Sequence, residues 1–341
     1  MEIPPPIIFI ASPLEAEYVN RIASIGVPVV HRPHLLPPTR YRGDHNGVHV
    51  NRTPRQEAEW RECLAQATIL WDFPDDMALA PNVRWVQTTS TGVAATVRRL
   101  NLQTSDLLIT TARGVHGGPL AEFVLLSLLA HFRGLAHLQA EQRAHSWVRY
   151  CGDEIAGKTL VLIGAGDLAR ATALRARAFE MRVEAVTRHP EKSRAHADLF
   201  HAVHPLEDLH RILARADAVV LTTPHTPETE NLFDASAFAA TKYGAALVNI
   251  ARGQVLDETA LLSNLRSGHL AFAALDVTAV EPLPPDSPLW DMPNVLISPH
   301  SASTVPGENA RITEIFCENL GHYLAGNIAA MKNIFDKQAL Y

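Results

Sequence analysis

Cysteine is the scarcest reactive residue in this chain. Cys63, Cys151 and Cys317 are the only three in 341 residues, lying far apart and without C-x-x-C spacing. An odd count excludes a complete disulfide framework, and the spacing excludes the common zinc and redox motifs. A reduced, cytosolic setting without a bound metal is the simplest reading. A basic surplus is missing as well. The net charge is −6, whereas a nucleic-acid footprint needs clustered Lys and Arg to replace counterions. Long apolar runs are also lacking. The most apolar stretch, residues 120–130, is broken by Glu122 and flanked by His131 and Arg133. It falls well short of the roughly twenty residues that span a bilayer. The first residues carry no basic region, and three prolines stand where a signal peptide needs a helix. Nucleic acid and membrane are therefore not expected partners.

What is present fits a globular chain of two domains: 341 residues, 47% of them hydrophobic and 19% charged. The first hundred residues read as a small α/β unit. Strands are expected at 7–11, 27–31, 68–71 and 83–88, and helices at 13–25 and 56–67. Residues 32–54 read as loop. From Gly157 onward, strands at 159–163, 182–187, 218–222, 246–249, 271–277 and 295–298 have helices between most of them. Such alternation predicts a parallel, doubly wound sheet. A final helix at 306–325 follows the last strand and is free to return to the first domain. The expected architecture is α/β, with a Rossmann domain (residues 107–301) inserted in a smaller flavodoxin-like substrate domain (residues 1–106 plus 302–341).

The segment 157–163 runs directly into Gly164-Ala-Gly166-Asp167-Leu168-Ala169 and then a helical stretch. This is G-x-G-x-x-A in the strand–turn–helix setting that gives it meaning. Gly164 permits the turn, Gly166 admits a pyrophosphate to the backbone, and small Ala169 lets helix and strand pack closely. The phosphate then meets free N–H groups at a helix N-terminus. A structural turn is the plain alternative, but the flanking elements favour a dinucleotide.

The second strand of such a domain usually ends in an acid that accepts from the ribose hydroxyls. Here it ends Thr187-Arg188, and Glu184 lies mid-strand. Arg188 is placed to fork onto a 2′-phosphate, assisted by Lys192 or Arg194. The missing acid and the well-placed base together favour NADP(H) over NAD(H).

Three polar residues then follow predicted strand ends, where open α/β sheets bind ligands. They are Arg252 in Asn249-Ile-Ala-Arg-Gly253, Glu281 in Glu281-Pro-Leu-Pro284, and His300 in Pro299-His-Ser. An arginine can fork onto the carboxylate and 2-oxo oxygen of a keto acid. A histidine can protonate the developing alkoxide. A carboxylate bonded to that histidine orients it and favours its protonated form. Any one of these alone, among 17 histidines and many other charges, reads as an ordinary surface residue. Together, downstream of a dinucleotide loop, they read as a site.

These segments, with Leu275-Asp-Val277, Leu289-Trp290 and Pro224-His-Thr-Pro-Glu-Thr229, resemble the D-2-hydroxyacid dehydrogenase family in kind and order from about residue 83 to 325. The resemblance implies that Arg252 binds and polarises the keto acid, His300 is the acid/base, and Glu281 tunes it. It also implies that Thr91, Gly92 and Val93 hold the substrate carboxylate through their backbone, with Arg252. The cofactor would be lined by Gly164, Gly166, Asp167, Leu168, Thr187, Arg188, Thr223, Pro224, Ile250 and Asp276, with Asp276 at the nicotinamide carboxamide. The helix with Glu122 and Arg133 resembles the family's dimer-forming segment, so a homodimer is implied. Three departures stand out: Ala94 and Ala95 where many relatives have an acid, Asp167 where Arg is frequent, and His225 in place of Leu.

Within this family the short Trp71-Asp-Phe-Pro74 segment and the NADP(H) expectation resemble glyoxylate/hydroxypyruvate reductases. Formate dehydrogenase is disfavoured, because its histidine partner is typically Gln. Phosphite dehydrogenase shares the Arg, Glu and His pattern and stays open. Phosphoglycerate dehydrogenases usually carry an extra regulatory domain, for which this length leaves no room, although short forms exist. A nucleotide-sensing, corepressor-like protein on the same scaffold is the alternative from another class. His116-Gly-Gly118 reads as a flexible lead-in to a helix more readily than as a substrate-facing loop.

Overall fold

The computed structural model describes residues 5–45 and 47–338, with only the backbone at positions 194, 195 and 197. Among these residues the strands form two all-parallel sheets. They belong to two compact units, residues 1–115 with 304–341, and residues 116–303.

The first unit opens with β1 (Ile8–Ile10), α1 (Ala16–Ala23) and β2 (Val29–Val30), then α2 (Pro54–Gln66), β3 (Ile69–Trp71), β4 (Trp85–Gln87), α3 (Ala94–Arg99) and β5 (Leu108–Thr110). The sheet order is β2-β1-β3-β4-β5, the flavodoxin-like order. Local chemistry sets the element ends. Thr53 and Gln56 form a reciprocal capping box at the start of α2, with Pro54 at its first position, which satisfies N–H groups that a helix start leaves open.

β5 was not foreseen, and it moves the domain boundary. Its three residues pair with β4, so the first unit runs to Val115 rather than ending at 106. The chain returns at residue 304 rather than 302. Its final helix belongs to the first unit, where Phe316 stacks on Trp85 at 5.0 Å and meets Trp71 edge-on at 5.6 Å.

The second unit begins with α4 (Gly117–Phe132) and α5 (Leu135–Arg143), and His116 is the N-cap residue of α4. Among the described residues no single helix is long and apolar enough to cross a membrane. Then come β6 (Thr159–Ile163), α6 (Asp167–Ala178), β7 (Arg182–Thr187), β8 (Ala202–Pro205), α7 (Leu209–Leu213), β9 (Ala218–Leu221), α8 (Ala235–Ala240), β10 (Ala245–Asn249), α9 (Glu258–Ser267), β11 (Leu270–Leu275) and β12 (Val295–Ile297). The remaining long helix, α10 (Glu308–Leu324), is the one that completes the first unit.

The second sheet is ordered β12-β11-β10-β9-β6-β7-β8, a doubly wound Rossmann arrangement. Its central strands are continuously apolar and buried, as parallel strands covered on both faces must be. One face packs on α4 and α6 through Val124, Leu128, Ala169 and Ala173. The other packs on α7, α8 and α9 through Ile212, Phe238 and Leu261. β6 lies between β9 and β7, at the point where strand order reverses, and that is where open α/β sheets form their ligand crevice.

Candidate active site

The phosphate loop follows β6 directly. Gly164 has φ +113°, and a Cβ there would stand 2.7 Å from Thr222 Oγ1, so no other residue fits the turn. A Cβ at Gly166 would meet nothing within 4 Å; the backbone there opens on a space that a pyrophosphate can approach. Ala169 is fully buried against the sheet. Asp167 starts α6, and its carboxylate is paired with Arg170. An acid beside a phosphate would repel it, and the pairing with Arg170 offsets the charge nearest the helix start.

Thr223 and Pro224 follow β9, and Thr222 beside them bonds back to Ile163 O at 2.9 Å. Thr223 Oγ1 is buried without a hydrogen-bond partner. Leu168 is the second residue of α6, and Ile250, which is buried, follows β10. These groups border one strand-end crevice of the second unit. The glycine cradle and the orphaned hydroxyl fit a dinucleotide.

At the end of β7, Thr187 Oγ1 accepts from His189 N at 3.5 Å, and Arg188 lies 3.6 Å from Glu228. Glu184 points elsewhere. It is fully buried and paired with Arg182 at 2.8 Å, with His204 at 2.9 Å and with Arg215. It is not available to a ribose. Lys192 lies in the 3-10 helical segment Pro190–Leu199 after β7, and the side chain of Arg194 lies outside those described.

The three polar residues share the second unit. His300 Nδ1 and Glu281 Oε2 are 2.8 Å apart, and Glu281 Oε1 accepts from Thr278 N at 3.2 Å. Arg252 follows β10. Burial pulls its pKa down, while the negative charges of Glu281 and Asp276 push it up. Both carboxylates therefore lie close enough to be felt at the guanidinium.

Two buried residues position this site: Asn249, which carried no site role in the sequence, and Asp276, which the resemblance assigns only to the nicotinamide carboxamide. Asn249 ends β10. Its Nδ2 donates to Arg252 O and its Oδ1 accepts from Ala251 N, both at 3.0 Å, so it clamps the turn that aims Arg252. Asp276 directly follows β11 and organises the histidine loop: Oδ1 accepts from Ser298 Oγ at 2.6 Å and from Ser301 N and Ala302 N at 2.9 Å. The backbone O of Asp276 also accepts from His300 N at 2.8 Å. In the sequence their anchoring part was signalled only by place, a polar residue at or just past the end of an apolar strand.

Gly253 fixes the approach of the two loops. A Cβ there would lie 1.9 Å from Thr278 O and 2.4 Å from Ala279 N. The turn carrying Arg252 thus sits against the segment that leads to Glu281.

Residues 125–302 match the profile of the D-isomer specific 2-hydroxyacid dehydrogenase, NAD binding domain. The chain belongs to that family. It is 36% identical over 291 residues to D-3-phosphoglycerate dehydrogenase of Mycobacterium leprae, covering 79% of this chain but 53% of the relative. The chain thus spans about half the length of that enzyme. It is 32% identical to glyoxylate/hydroxypyruvate reductase B of Escherichia fergusonii, over 82% of this chain and 88% of the relative. Among solved structures, a D-isomer specific 2-hydroxyacid dehydrogenase of Xanthobacter autotrophicus in complex with NADPH and MES is 30% identical. It superposes with a TM-score of 0.77 over 99% of each chain. The fold and the NAD-binding domain are thereby those of this dehydrogenase family. Its relatives carry different substrate names, so the family does not choose the substrate.

The remaining expected site residues, Thr91, Gly92 and Val93, belong to the first unit. They form the turn between β4 and α3, with Thr91 and Gly92 exposed and Val93 buried as the N-cap residue of α3. Thr89 in the same turn donates to Asp72 Oδ2 at 2.7 Å, which ties the loops after β3 and β4 together.

Proposed function

We propose that this chain reduces small 2-keto acids of the glyoxylate and hydroxypyruvate type to D-2-hydroxy acids, with NADP(H) favoured. The observation that carries the reading is the 2.8 Å contact between His300 Nδ1 and Glu281, with Arg252 near enough to feel Glu281 and Asp276. A bound nicotinamide supplies the hydride to the keto carbon. With Nδ1 donating to Glu281, the exchangeable proton sits on Nε2 of His300 and passes to the oxygen that becomes the hydroxyl. Arg252 forks onto the carboxylate and the 2-oxo oxygen and polarises the carbonyl. The backbone at Thr91, Gly92 and Val93 is assigned to the substrate carboxylate, and Asp276 to the nicotinamide carboxamide. In the oxidative direction each transfer reverses.

The cofactor preference rests on Arg188 at the end of β7 and on the commitment of Glu184 to Arg182, Arg215 and His204. A cytosolic homodimer belongs to the same reading. It draws on the unpaired cysteines and on the exposed apolar side chains of Leu126, Leu135, Leu138, Trp147 and Val148, which crowd onto α4, α5 and the segment after them.

The test follows nicotinamide absorbance with glyoxylate, hydroxypyruvate, pyruvate and phenylpyruvate, each with NADPH and NADH. Fast turnover with NADPH on glyoxylate or hydroxypyruvate is expected. Equal or better kcat/KM with NADH would sink the cofactor preference. Tight NADPH binding without turnover on any acid would point to a nucleotide-sensing protein or to another reductant, phosphite among them.

A further inference from the structure

The end of β7 and the loop after β9 meet through side chains of opposite charge. Arg188 Nη1 lies 3.6 Å from Glu228 Oε2. Because β6 separates β7 from β9 in the sheet, this pair reaches across the end of β6, the strand that feeds the phosphate loop. Neighbouring strands are about 4.8 Å apart, so the two residues close a gap of roughly two strand spacings.

Glu228 is held in place. Thr226 Oγ1 donates to its Oε2 at 2.7 Å, and Thr226 is itself buried, its N–H donating to Thr229 Oγ1 at 2.7 Å. The Thr226 hydroxyl first, and Arg188 further off, hold the Glu228 carboxyl below the usual carboxylate range. An ionised carboxylate held by Thr226 therefore stands beside Arg188, the arginine placed to meet a 2′-phosphate.

We propose that Glu228 is a cofactor-specificity residue, set against the 2′-phosphate of NADP(H) and toward the ribose diol of NAD(H). The proposal rests on the preceding assignment of Arg188. A 2′-phosphate carries between one and two negative charges near neutral pH. To reach Arg188 it must take the guanidinium from Glu228 and then lie beside a like charge. Ribose hydroxyls are donors, and a carboxylate accepts from them. That is the service an acid at the end of the second strand ordinarily performs, and β7 ends without one. In this chain the acid comes from the loop after β9, while β7 brings the base, so one crevice carries a determinant for each cofactor. Both side chains are partly exposed, which keeps the effect modest.

The experiment measures dissociation constants of NADP⁺ and NAD⁺ by titration calorimetry on the full chain, with Glu228→Gln and Arg188→Ala. Glutamine still accepts from Thr226, so the loop is preserved. In Glu228→Gln the ratio Kd(NAD⁺)/Kd(NADP⁺) is expected to rise about fivefold or more. Adenosine 2′-monophosphate should tighten alongside NADP⁺, which locates the effect at the ribose. A ratio within twofold of the parent, or equal shifts for both cofactors, overturns the proposal. The Arg188→Ala arm speaks separately: unchanged NADP⁺ affinity there removes Arg188 from the cofactor reading, while a shift in Glu228→Gln alone still supports Glu228.

Discussion

His300 sits at φ +52°, a left-handed conformation uncommon for a residue with a side chain but among those to which His and Asn are best suited. The loop around it is over-determined. Asp276 gathers Ser298, Ser301 and Ala302, and Glu281 takes the ring. Asparagine tolerates the same backbone, so His300→Asn is a probe of chemistry more than of folding. We expect kcat to fall by about 10²–10⁴ while NADP⁺ affinity stays within twofold. Retention of most activity would remove His300 from the proton transfer. Arg252, Glu281 and His300 stood out only together, each past a predicted strand end and downstream of the dinucleotide loop, and the structure brings His300 and Glu281 into contact. The part of Asp276 as an anchor was not legible, since its partners lie 22 to 26 positions downstream and only the folded loop brings them to one oxygen.

At the scale of elements, the site is made by turns that leave neighbouring strands and touch. Gly253 permits the contact between the turn after β10 and the segment after β11. Gly253→Ala drives a methyl group into Thr278 O, a clash that costs at least the 1–3 kcal/mol typical of overpacking. Its relief must move either Arg252 or the approach to Glu281. The expected result is a lower unfolding midpoint together with a large loss of kcat/KM, measured by thermal melting and steady-state assay. Normal kinetics in a destabilised variant would mean that the two loops do not need each other. Central strands such as β6 and β10 announced themselves as apolar runs. β5 and β8 did not: β5 has only three residues, and β8 is an edge strand reading Ala-Val-His-Pro. Such segments become strands because a neighbour supplies hydrogen bonds, a condition invisible to local pattern.

Over the whole molecule, acid stability should report on Glu184. Burial raises its pKa, but bonds from Arg182, Arg215 and His204 outweigh burial and leave it lowered. A lowered folded-state pKa means that its stabilisation is present above the unfolded value, about 4.3, and is lost as pH falls through the folded one. Glu184→Gln should cost about 2–3 kcal/mol at pH 7, discounting the usual penalty for a broken buried pair because the arginines are half exposed. Its stability should also fall less steeply than the parent's between about pH 5 and 3. Urea melts across that range decide it, and parallel curves would show that Glu184 is not the titrating group. The two-domain plan and the insertion were readable from the order of strands and motifs. The exact crossing points were not, because β5 carries no signal of its own.

The double crossing also sets a timetable for the newborn chain. Every strand of the first sheet leaves the ribosome before the second unit is begun, yet Phe316, Ile312 and Leu320, which cover Ile8, Ile10, Trp71 and Trp85, arrive after that unit is complete. At 5–20 residues per second the wait is on the order of ten seconds or more. The second unit, contiguous in sequence, is free to close in that interval. The tryptophan-rich face of the first sheet meanwhile lacks that part of its cover and waits for it in solvent or with a chaperone.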